Sequence, residues 1–515
     1  MDDRRIVDLP LNGRNIMSLA QLVPGVLNVK APESLSDARA GPMMNTNGGR
    51  QNMNLFTFDG SFFNNPSRNT GMNYPPPDAI QEFRLLTSNF DAEYGRNSGS
   101  QAMVVARAGT NALHGDVWEF LRNDALNARN FFAPTVPTIK ENQYGGAVGG
   151  PIKKDKAYFF GSYQGLRNRP QGVANETLVP SAAERQGDFT DLLPEIVLHN
   201  PTNPNTGVAY TTPTGAPCVA HNIIDPSCIT TASQNFLKYV PESSTGSVTS
   251  LGESPVNNEM YLGRIDLNLS TKQSVFGHAY VNHNSGSSAF PCCGSNIAGY
   301  NSAVTPQETD SFALNDTYTF RPNLVNQVVV AYLRTTSTYT LTRTDVPTNE
   351  GINMPQYSPN GTTGVSVNGS FSLQGNGFNL FKNNNYQLRD TLTWIRGRHE
   401  IETGGEILWM HFLQRFIGPP GFNFSGQESG DAFSDYLLGA FSQLTISFGL
   451  TDNDDVTTAP SLFVQDRFKV TPRFTLTYGV RWEPNLFWYD KHDRIDTIKF
   501  GAQSTKVPGS ALKLC

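Results

Sequence analysis

Residue types that often carry chemistry are present in this chain, but their spacing matches no catalytic or metal site. Gly95-Arg-Asn-Ser-Gly99 places its serine one residue away from the Gly-x-Ser-x-Gly nucleophile elbow, and neither His-Glu-x-x-His nor a phosphate-binding loop occurs. No metal-ligand spacing links the eight histidines, which stand at positions 114, 199, 221, 278, 283, 399, 411 and 492. The carboxylates are not paired for acid–base work. We therefore expect no enzymatic activity, no cofactor and no metal.

The five cysteines also lack zinc-ribbon spacing. They are Cys218, Cys228, Cys292, Cys293 and Cys515. Cys218 and Cys228 share one loop rich in Pro, Thr and Asn, and they could close a small disulfide ring in an oxidising compartment. Two unpaired loop thiols explain the same pattern equally well.

Composition points to an all-β protein rather than to a nucleic-acid-binding one. Of 515 residues, 16% are charged, and the net charge of −6 provides no basic excess for nucleic acid. Aromatic residues make up 11% and mean hydropathy is −0.37, as expected for strands that are half apolar and half polar. No run approaches the roughly 18 apolar residues of a membrane helix. That test does not apply to membrane strands, in which only alternate residues face lipid.

Alternating apolar and polar residues predict β-strands throughout the chain beyond residue 110. The candidate strands are 112–122, 143–152, 156–166, 258–268, 273–283, 308–320, 324–335, 384–395, 399–411, 460–470 and 474–486. In strand 399–411, Ile401, Ile407 and Trp409 lie on one face, opposite Glu400, Glu402 and Glu406. A soluble β-sandwich would alternate in the same way, so the alternation alone does not indicate a membrane protein.

The lengths of the connections separate these two fold classes. Tight turns at 153–155, 270–272, 321–323, 396–398 and 471–473 alternate with long connections at 123–142, 167–257, 284–307, 336–383 and 412–459. If every strand runs up or down, all short turns lie on one side and all long loops on the other. That layout is typical of an outer-membrane barrel, with short periplasmic turns and long external loops. The fold of a soluble sandwich does not require this regular alternation of short and long connections.

The first hundred residues predict a small α+β domain. Residues 16–23 have a one-sided helical spacing that Pro24-Gly25 ends, and residues 55–60 are typical of a strand running into a turn. Residues 77–83 predict a short helix with Asp78 near its start, and residues 84–87 predict a strand. A Gly-rich and Ser-rich stretch, 91–111, then leads into the β-rich part of the chain.

An ordered set of motifs resembles the TonB-dependent receptors of the Oar-like branch. The motifs are Leu9-Pro-Leu-Asn-Gly-Arg-Asn15, Phe58-Asp-Gly60, Pro77-Asp-Ala-Ile-Gln-Glu-Phe83, Ala92-Glu-Tyr-Gly-Arg96, Phe131-Phe-Ala133, Gly149-Gly-Pro-Ile152, Phe159-Phe-Gly-Ser-Tyr163, Val464-Gln-Asp-Arg467 and Leu476-Thr-Tyr-Gly-Val-Arg481. The resemblance implies a plug inside a 22-stranded barrel, so eleven strands are about half of one. We expect residues 1–109 to be an N-terminally incomplete plug domain. Residues 110–515 are then the first part of an antiparallel transmembrane β-barrel with long extracellular loops.

What this resemblance implies for function is active uptake across the outer membrane. A scarce or large substrate binds the outer side, and the inner-membrane TonB complex supplies the energy. The expected partners are the TonB complex, through a segment outside this chain, outer-membrane lipid, and a small or oligomeric substrate. An iron chelate, a cobalamin, a glycan and a peptide all remain open. Two alternatives are a non-transporting outer-membrane barrel for adhesion or secretion, and a soluble, secreted all-β binding protein.

The plug of such a transporter must be held by polar contacts that can break. Candidate residues on the plug are Arg84, Glu93, Arg96 and Arg107, and candidates on the barrel wall are Glu400, Glu402, Glu406, Arg481 and Glu483. The alternative for each residue is a solvated lumen charge without a special partner. The first ten residues contain no apolar signal core, and the last five do not read as a terminal aromatic strand. We therefore expect the chain to be an internal piece of a longer protein.

Overall fold

The structure is a computed structural model. It describes residues 1, 3–30, 41–129, 136, 138–170, 172–203, 206–290, 296–298, 300, 302–341, 347–354, 362–375, 379–416, 418, 420–446 and 451–492. The motif Phe131-Phe-Ala133 and the cysteines Cys292, Cys293 and Cys515 lie outside these residues.

The elements up to Ala106 form one small unit, called the N-terminal unit below. They are α1 (Asp3–Asp8), 3-10 helices at Asn12–Arg14, Ile16–Leu22 and Pro77–Ala79, and strands β1 (Val26–Lys30), β2 (Met43–Thr46), β3 (Leu55–Phe58), β4 (Ser61–Phe62), β5 (Asn64–Asn65), β6 (Thr70–Gly71), β7 (Ile80–Leu86) and β8 (Gln101–Ala106). Strands β4, β3, β8 and β7 make a sheet in that order, with β3 and β8 parallel. Short helical segments pack beside this sheet, as expected for a small α+β unit.

The helix expected at 77–83 is wrong. Only Pro77–Ala79 forms a 3-10 turn, and the chain then extends as β7. Pairing with β8 places Ile80 opposite Ala106 and Phe83 opposite Val104, and it buries both side chains of β7. Because tertiary burial outweighs local helix preference, the segment is a strand. The helix expected at 16–23 is present as the 3-10 helix Ile16–Leu22.

Residues after Ala106 are mainly β-strands. The strands are β9 (His114–Asn123), β10 (Ile139–Lys153), β11 (Ala157–Pro170), β12 (Val173–Leu178), β13 (Val219–Ala220), β14 (Ile223–Ile224), β15 (Ser247–Gly252), β16 (Val256–Asn268), β17 (Gln273–Ser288), β18 (Ala303–Arg321), β19 (Leu324–Leu341), β20 (Gly364–Val367), β21 (Ser372–Leu373), β22 (Asn379–Arg396), β23 (His399–Phe416), β24 (Gly421–Phe424), β25 (Gln443–Thr445), β26 (Thr451–Thr471), β27 (Phe474–Trp482) and β28 (Tyr489–Asp490). Helices α2 (Ala182–Arg185), α3 (Thr231–Leu237) and α4 (Ala432–Leu438) lie between them, with 3-10 turns at Asp124–Leu126, Thr190–Leu192, Pro226–Cys228 and Pro347–Glu350.

The long strands form one antiparallel sheet, called the large sheet below. Its order is β9-β10-β11-β16-β17-β18-β19-β22-β23-β26-β27, and β28 adds to β26. Each of the predicted strands is present, which confirms the expected antiparallel β architecture. Successive strands alternate direction, so the short turns share one edge and the long connections share the other. Within the described ranges, no helix is both long and apolar enough to cross a membrane.

Several strands extend further toward the long connections than the periodicity predicted. Strand β26 begins at Thr451, although alternation predicted a start at residue 460. The added residues pair with the end of β23, where Arg415 Nη2 lies 2.9 Å from Asp452 Oδ2 and His411 pairs with Asp454. Charged cross-strand pairs hold this part of the strand together. Apolar periodicity does not detect such pairs.

The two faces of the large sheet differ in composition. One face exposes large apolar side chains along many strands, including Val117, Ile265, Leu314, Leu388 and Val480. Such a continuous apolar belt on an exposed sheet face matches the lipid-facing side of membrane strands. The other face, called the inner face below, contacts the N-terminal unit. Since one small unit contacts strands from β9 to β27 on that face, the sheet curves around it.

The long connections fold together instead of remaining separate. We call this assembly the loop unit; it contains α3, α4 and a four-stranded sheet in the order β21-β20-β24-β25. Strands β20 and β24 come from two different connections and pair in parallel. Every residue of α4 is buried, Asp431 caps its N-terminus, and Gly439 ends it with a positive φ of 69°. The external connections therefore share a hydrophobic core of their own.

The shared core predicts how the loop unit responds to loss of a buried leucine. Replacing Leu437 by Ala is expected to destabilise the loop unit by about 2–5 kcal/mol, because the buried side chain leaves a cavity. Limited proteolysis of the protein in detergent measures this loss as faster cleavage between residues 171 and 255. Heat-modifiable electrophoretic migration, which reports on folding of the large sheet, is expected to be unchanged. Leu251→Ala, at an exposed leucine, is the matched control. Wild-type cleavage rates in Leu437→Ala would show that the connections do not depend on a common core.

Candidate functional site

The contacts between the N-terminal unit and the inner face form the candidate site. Its apolar part is continuous with the core of the unit and includes Phe160, Leu262, Tyr280 and Leu333 of the large sheet. Most of its charged contacts fall into two clusters, one around Asp59 and one around residues 91–96. The Asp59 cluster lies toward the short turns, whereas the second runs from Arg467, near a short turn, to Arg481 at the far end of β27. The interface is therefore partly apolar and partly polar.

Asp59 stands on the tight turn between β3 and β4, which aims its carboxylate at the large sheet. The turn needs left-handed backbone conformations, with φ 48° at Asp59 and φ 78° at Gly60. Aspartate tolerates this region and glycine adopts it freely. A Cβ added at Gly60 would lie 3.0 Å from Arg389 Nη2, so the close approach of this turn to the sheet also favours glycine.

The carboxylate of Asp59 is fully enclosed by donors. Its Oδ1 accepts a hydrogen bond from the backbone N–H of Ala106 at 2.9 Å and lies 3.3 Å from Arg264 Nη1. Its Oδ2 lies 2.8 Å from His278 Nδ1, and the side chains of Asp59 and His278 are 0% exposed. The N-terminal unit is therefore tied by one carboxylate to two neighbouring strands, β16 and β17.

Further contacts fix the two barrel-side partners of Asp59. Arg264 also binds Asp266, with Nη2 2.7 Å from Oδ1, and its guanidinium stacks 4.1 Å from the Phe276 ring centroid. His278 Nε2 lies 3.2 Å from Ser311 Oγ. These contacts support the orientation of both side chains in addition to their contacts with Asp59.

The environment keeps Asp59 charged. Burial raises the pKa of its carboxyl, but the hydrogen bond from His278 and the charges of His278 and Arg264 outweigh burial, and the pKa lies below its ordinary value. A lowered folded-state pKa contributes stability that is present above the unfolded pKa. That stability is lost as the pH falls through the folded pKa. At neutral pH the full interaction is therefore present.

The second cluster joins residues 91–96 to β23, β26 and β27. Arg467 bridges Asp91 at 3.0 Å and Glu400 at 2.7 Å. The backbone N–H of Ala92 donates to Gln465 Oε1 at 2.7 Å. Gly95 lies so close to the sheet that an added Cβ would meet Arg481 Nε at 2.1 Å. Any larger residue at this position would displace the side chains of Arg481 and Glu483 from their present contacts.

Four of the predicted contact residues come together in this second cluster. Arg481 Nη1 donates to the backbone oxygen of Glu93 at 3.0 Å, and the backbone N–H of Arg96 donates to Glu483 Oε2 at 3.3 Å. Arg481 and Glu483 also pair with each other at 2.6 Å. The barrel side chains thus hold the backbone of residues 93–96, whereas side-chain pairing was expected.

The other predicted residues have different surroundings. Glu400 pairs with Arg467, Glu402 lies within electrostatic range of Glu93, and Glu406 lies within range of Arg96. Arg107 instead pairs with Asp3 inside the N-terminal unit at 3.5 Å. Arg84 is exposed and makes no ion pair with a described carboxylate.

Sequence reasoning did not identify Asp59, Arg264, His278, Asp91 or Arg467 as contact residues. Asp59 lay within the quoted motif Phe58-Asp-Gly60, and a carboxylate beside a turn glycine was the available signal. His278 stood out in the sequence only as one of eight histidines without metal-ligand spacing. Nothing in one sequence shows that it meets Asp59, because the two lie far apart along the chain.

The predicted cysteine pair lies away from this interface. Cys218 and Cys228 form a disulfide in the loop unit, and Cys218 is buried in its core. In the part of the chain that the structure describes, no three His, Cys, Asp or Glu side chains gather as a metal site. What the interface offers chemically is a set of charged contacts that can be made and broken.

The buried charge predicts a large effect for a nearly isosteric substitution. Asp59→Asn is expected to lower the free energy of unfolding by about 3–5 kcal/mol, because the buried guanidinium of Arg264 then keeps Asp266 alone as a charged partner and His278 no longer faces a carboxylate. Chemical denaturation in detergent measures the loss. Asp3→Asn is the matched control, since the Asp3 side chain is 52% exposed and its pair with Arg107 contributes about 1 kcal/mol or less. Equal effects of the two substitutions would contradict this role for Asp59.

Comparison with solved structures supports the same architecture. The outer membrane transporter YddB of Escherichia coli aligns with a TM-score of 0.54 at 12% identity, covering 94% of this chain and 55% of that chain. FpvA of Pseudomonas aeruginosa, solved with bound pyoverdine, aligns with a TM-score of 0.52 at 13% identity, covering 94% of this chain and 50% of that chain. At these identities the likeness shows the fold alone. The chain spans about half the length of these structures.

Sequence comparison identifies the family. A segment of 160 residues is 28% identical to the TonB-dependent transporter Oar of Myxococcus xanthus, which is 29% of this chain and 14% of that protein. These relatives are transporters and receptors, not enzymes. Residues 105–513 match the family described as "Outer membrane beta barrel domain". The chain belongs to this outer-membrane β-barrel family, and its place is the outer membrane.

Proposed function

We propose that this chain is part of a TonB-dependent transporter, with residues 1–109 as its plug and 110–515 as the first part of its barrel. The observation that carries the proposal is the interface around Asp59. A small unit sits against the inner face of a membrane sheet and is held there by buried charges. The resemblance to the TonB-dependent transporter Oar supports the same reading.

The chemistry of the interface suits a plug that must be released. Water and counter-ions can replace charged contacts once a pull opens them, whereas a wholly apolar interface gains nothing from exposure to water. The contacts of Asp59 and of Arg467 lie toward the short turns of the sheet, which face the periplasm in this family of folds. A pull from the periplasmic side therefore reaches Asp59 and Asp91 first.

Energy for this release comes from the inner-membrane TonB complex in the proposed mechanism. The complex pulls on a segment of the full-length protein, and the contacts of Asp59 with Arg264 and His278 open. The N-terminal unit then rearranges and leaves a path along the inner face. Breaking a buried pair costs several kcal/mol, so spontaneous opening is rare and the outer membrane stays closed without TonB.

A second candidate function is a non-transporting outer-membrane barrel for adhesion. The observation that favours it is the loop unit, which has its own hydrophobic core and a disulfide. A folded external unit offers a rigid surface to a partner. The same unit also suits a transporter that captures its substrate outside the membrane, so uptake distinguishes the two functions.

A reversible cross-link tests the plug role directly. The backbone N–H of Ala92 donates to Gln465 Oε1 of β26 at 2.7 Å, so cysteines at these two positions lie within reach of a short bifunctional methanethiosulfonate, which joins two thiols through reducible disulfides. In cells carrying the full-length protein with Ala92→Cys and Gln465→Cys, this cross-link is expected to abolish TonB-dependent uptake. A reductant is expected to restore it. The two single-cysteine variants are the matched controls.

The readout is accumulation of labelled compounds too large for porins, compared in cells with and without TonB. The compounds are ferric chelates, cobalamin, peptides and neutral oligosaccharides. We expect one class to accumulate only when TonB is present and only when the cross-link is reduced. Uptake that continues unchanged without TonB, or through the intact cross-link, would overturn the transport mechanism. If no compound accumulates while cells still adhere through the loop unit, the second candidate is favoured.

A further inference from the structure

The long-connection half of the inner face is lined by uncharged amide and hydroxyl side chains. We call this set the amide belt; its members are Gln143, Gln164, Asn284, Gln307, Ser337 and Asn383. Each lies nearer to the long-connection end of its strand than to the short turn, or near the middle of the strand. The charged contacts of Asp59 and Arg467 lie toward the opposite edge.

Two clefts open between the amide belt and the N-terminal unit. The first has a volume of about 70 Å³ and contains Gln143, Gln164 and Asn284. The second has a volume of about 40 Å³ and contains Gln307, Ser337 and Asn383. Asn73 of the N-terminal unit lines both clefts. The clefts therefore flank a single point of the N-terminal unit.

Polar atoms of the amide belt lack protein partners. Gln164 Oε1 and Asn284 Oδ1 in the first cleft, and Gln307 Nε2, Ser337 Oγ and Asn383 Oδ1 in the second, have no hydrogen-bond partner among the described residues. Gln164, Asn284, Ser337 and Asn383 are only 5%, 5%, 6% and 1% exposed. Buried polar groups are normally paired. Several unpaired polar side-chain atoms gathered at two clefts point to a ligand that supplies the missing hydrogen-bond partners.

The charges near the clefts are already engaged or face away. Arg14 lines the first cleft and forms an ion pair with Asp78. Glu308 borders the second cleft, but it lies between Gln307 and Thr309 on β18 and so points to the other face of the sheet. Among the described residues that line the two clefts, no free counter-charge therefore faces a ligand with a strong net charge.

We infer that the amide belt binds a neutral, polyhydroxylated ligand of the saccharide class. This inference rests on the proposed transport function and names its substrate class. A hydroxyl group both donates and accepts, so it satisfies an unpaired amide oxygen, an amide nitrogen or a serine hydroxyl alike. Complete binding sites for small molecules occupy about 300–1,000 Å³. Each cleft therefore takes the hydroxyl groups at one edge of the ligand, and the rest of the ligand lies toward the external loops.

Binding to the purified full-length protein in detergent tests the substrate class without TonB. The probes are maltoheptaose, cellopentaose, xylopentaose, mannopentaose and chitopentaose, with ferric enterobactin as the anionic comparison. At least one oligosaccharide is expected to bind. Its dissociation constant is expected to change less than about twofold between 50 and 500 mM NaCl, because salt screens only charged interactions.

Substitutions then test whether the amide belt is the binding site. Asn284→Leu and Asn383→Leu keep similar side-chain volumes but remove the polar groups, and each is expected to weaken oligosaccharide binding about tenfold or more. Asn142→Leu is the matched control, because residue 142 lies beside Gln143 on the other face of β10. It is expected to bind as wild type does. Asn383→Ser, which keeps a hydroxyl, is expected to retain more affinity than Asn383→Leu.

The outcomes separate this inference from the transport proposal. Absence of binding by every oligosaccharide overturns the substrate class, as does unchanged binding in both leucine variants. Salt-sensitive binding of ferric enterobactin alone also overturns it. TonB-dependent uptake of another compound would leave the transport proposal standing in each of these cases. Conversely, oligosaccharide binding together with uptake that ignores TonB supports the substrate class and overturns the transport mechanism.

Discussion

The interface of this protein depends on one buried carboxylate that has to remain paired. Asp59 is enclosed between the N-terminal unit and the large sheet, where it forms an ion pair with Arg264 and a hydrogen bond with His278. An unpaired charge in such a site is strongly unfavourable. The turn that carries Asp59, the close approach at Gly60 and the supporting contacts of Arg264 all serve this single requirement. The unit is therefore held in one position by a contact that is strong when closed and can be replaced by water when open.

The inner face of the sheet has one region that holds the N-terminal unit and another that lines the proposed ligand-binding clefts. Charged residues such as Arg264 and Arg467, toward the short turns, hold the N-terminal unit, and neutral amides on the long-connection half line two clefts with unpaired polar atoms. Tyr280 links the two regions, because its hydroxyl donates to the backbone oxygen of Asn73 at 2.8 Å and its ring packs 5.8 Å from Phe58, next to Asp59. A ligand that contacts Asn73 thus touches a segment in packing contact with the charged cluster. This continuity offers a physical route between the outer clefts and the periplasmic contacts.

The sequence predicts the sheet well because its periodic signals are local. Alternation along β23 and the tight turn before it fixed that strand without any knowledge of its neighbours. Contacts across the chain were harder to predict: Asp59 meets His278 only after the sheet has curved around the N-terminal unit. The helix expected at 77–83 failed for the same reason, since pairing of Ile80 and Phe83 with β8 decided the local structure. The loop unit was missed because its core is assembled from residues of several connections, none of which has a periodic pattern.

Single-molecule force spectroscopy on the full-length protein in a lipid bilayer tests the central claim most directly. With the pull applied at the N-terminus of the unit from the periplasmic side, the account predicts two separate events. The N-terminal unit detaches and extends at low force, and the large sheet stays intact in the membrane until a much higher force. Extension of the unit and the sheet in one cooperative event would contradict the claim that breakable charged contacts hold the unit as a separable plug.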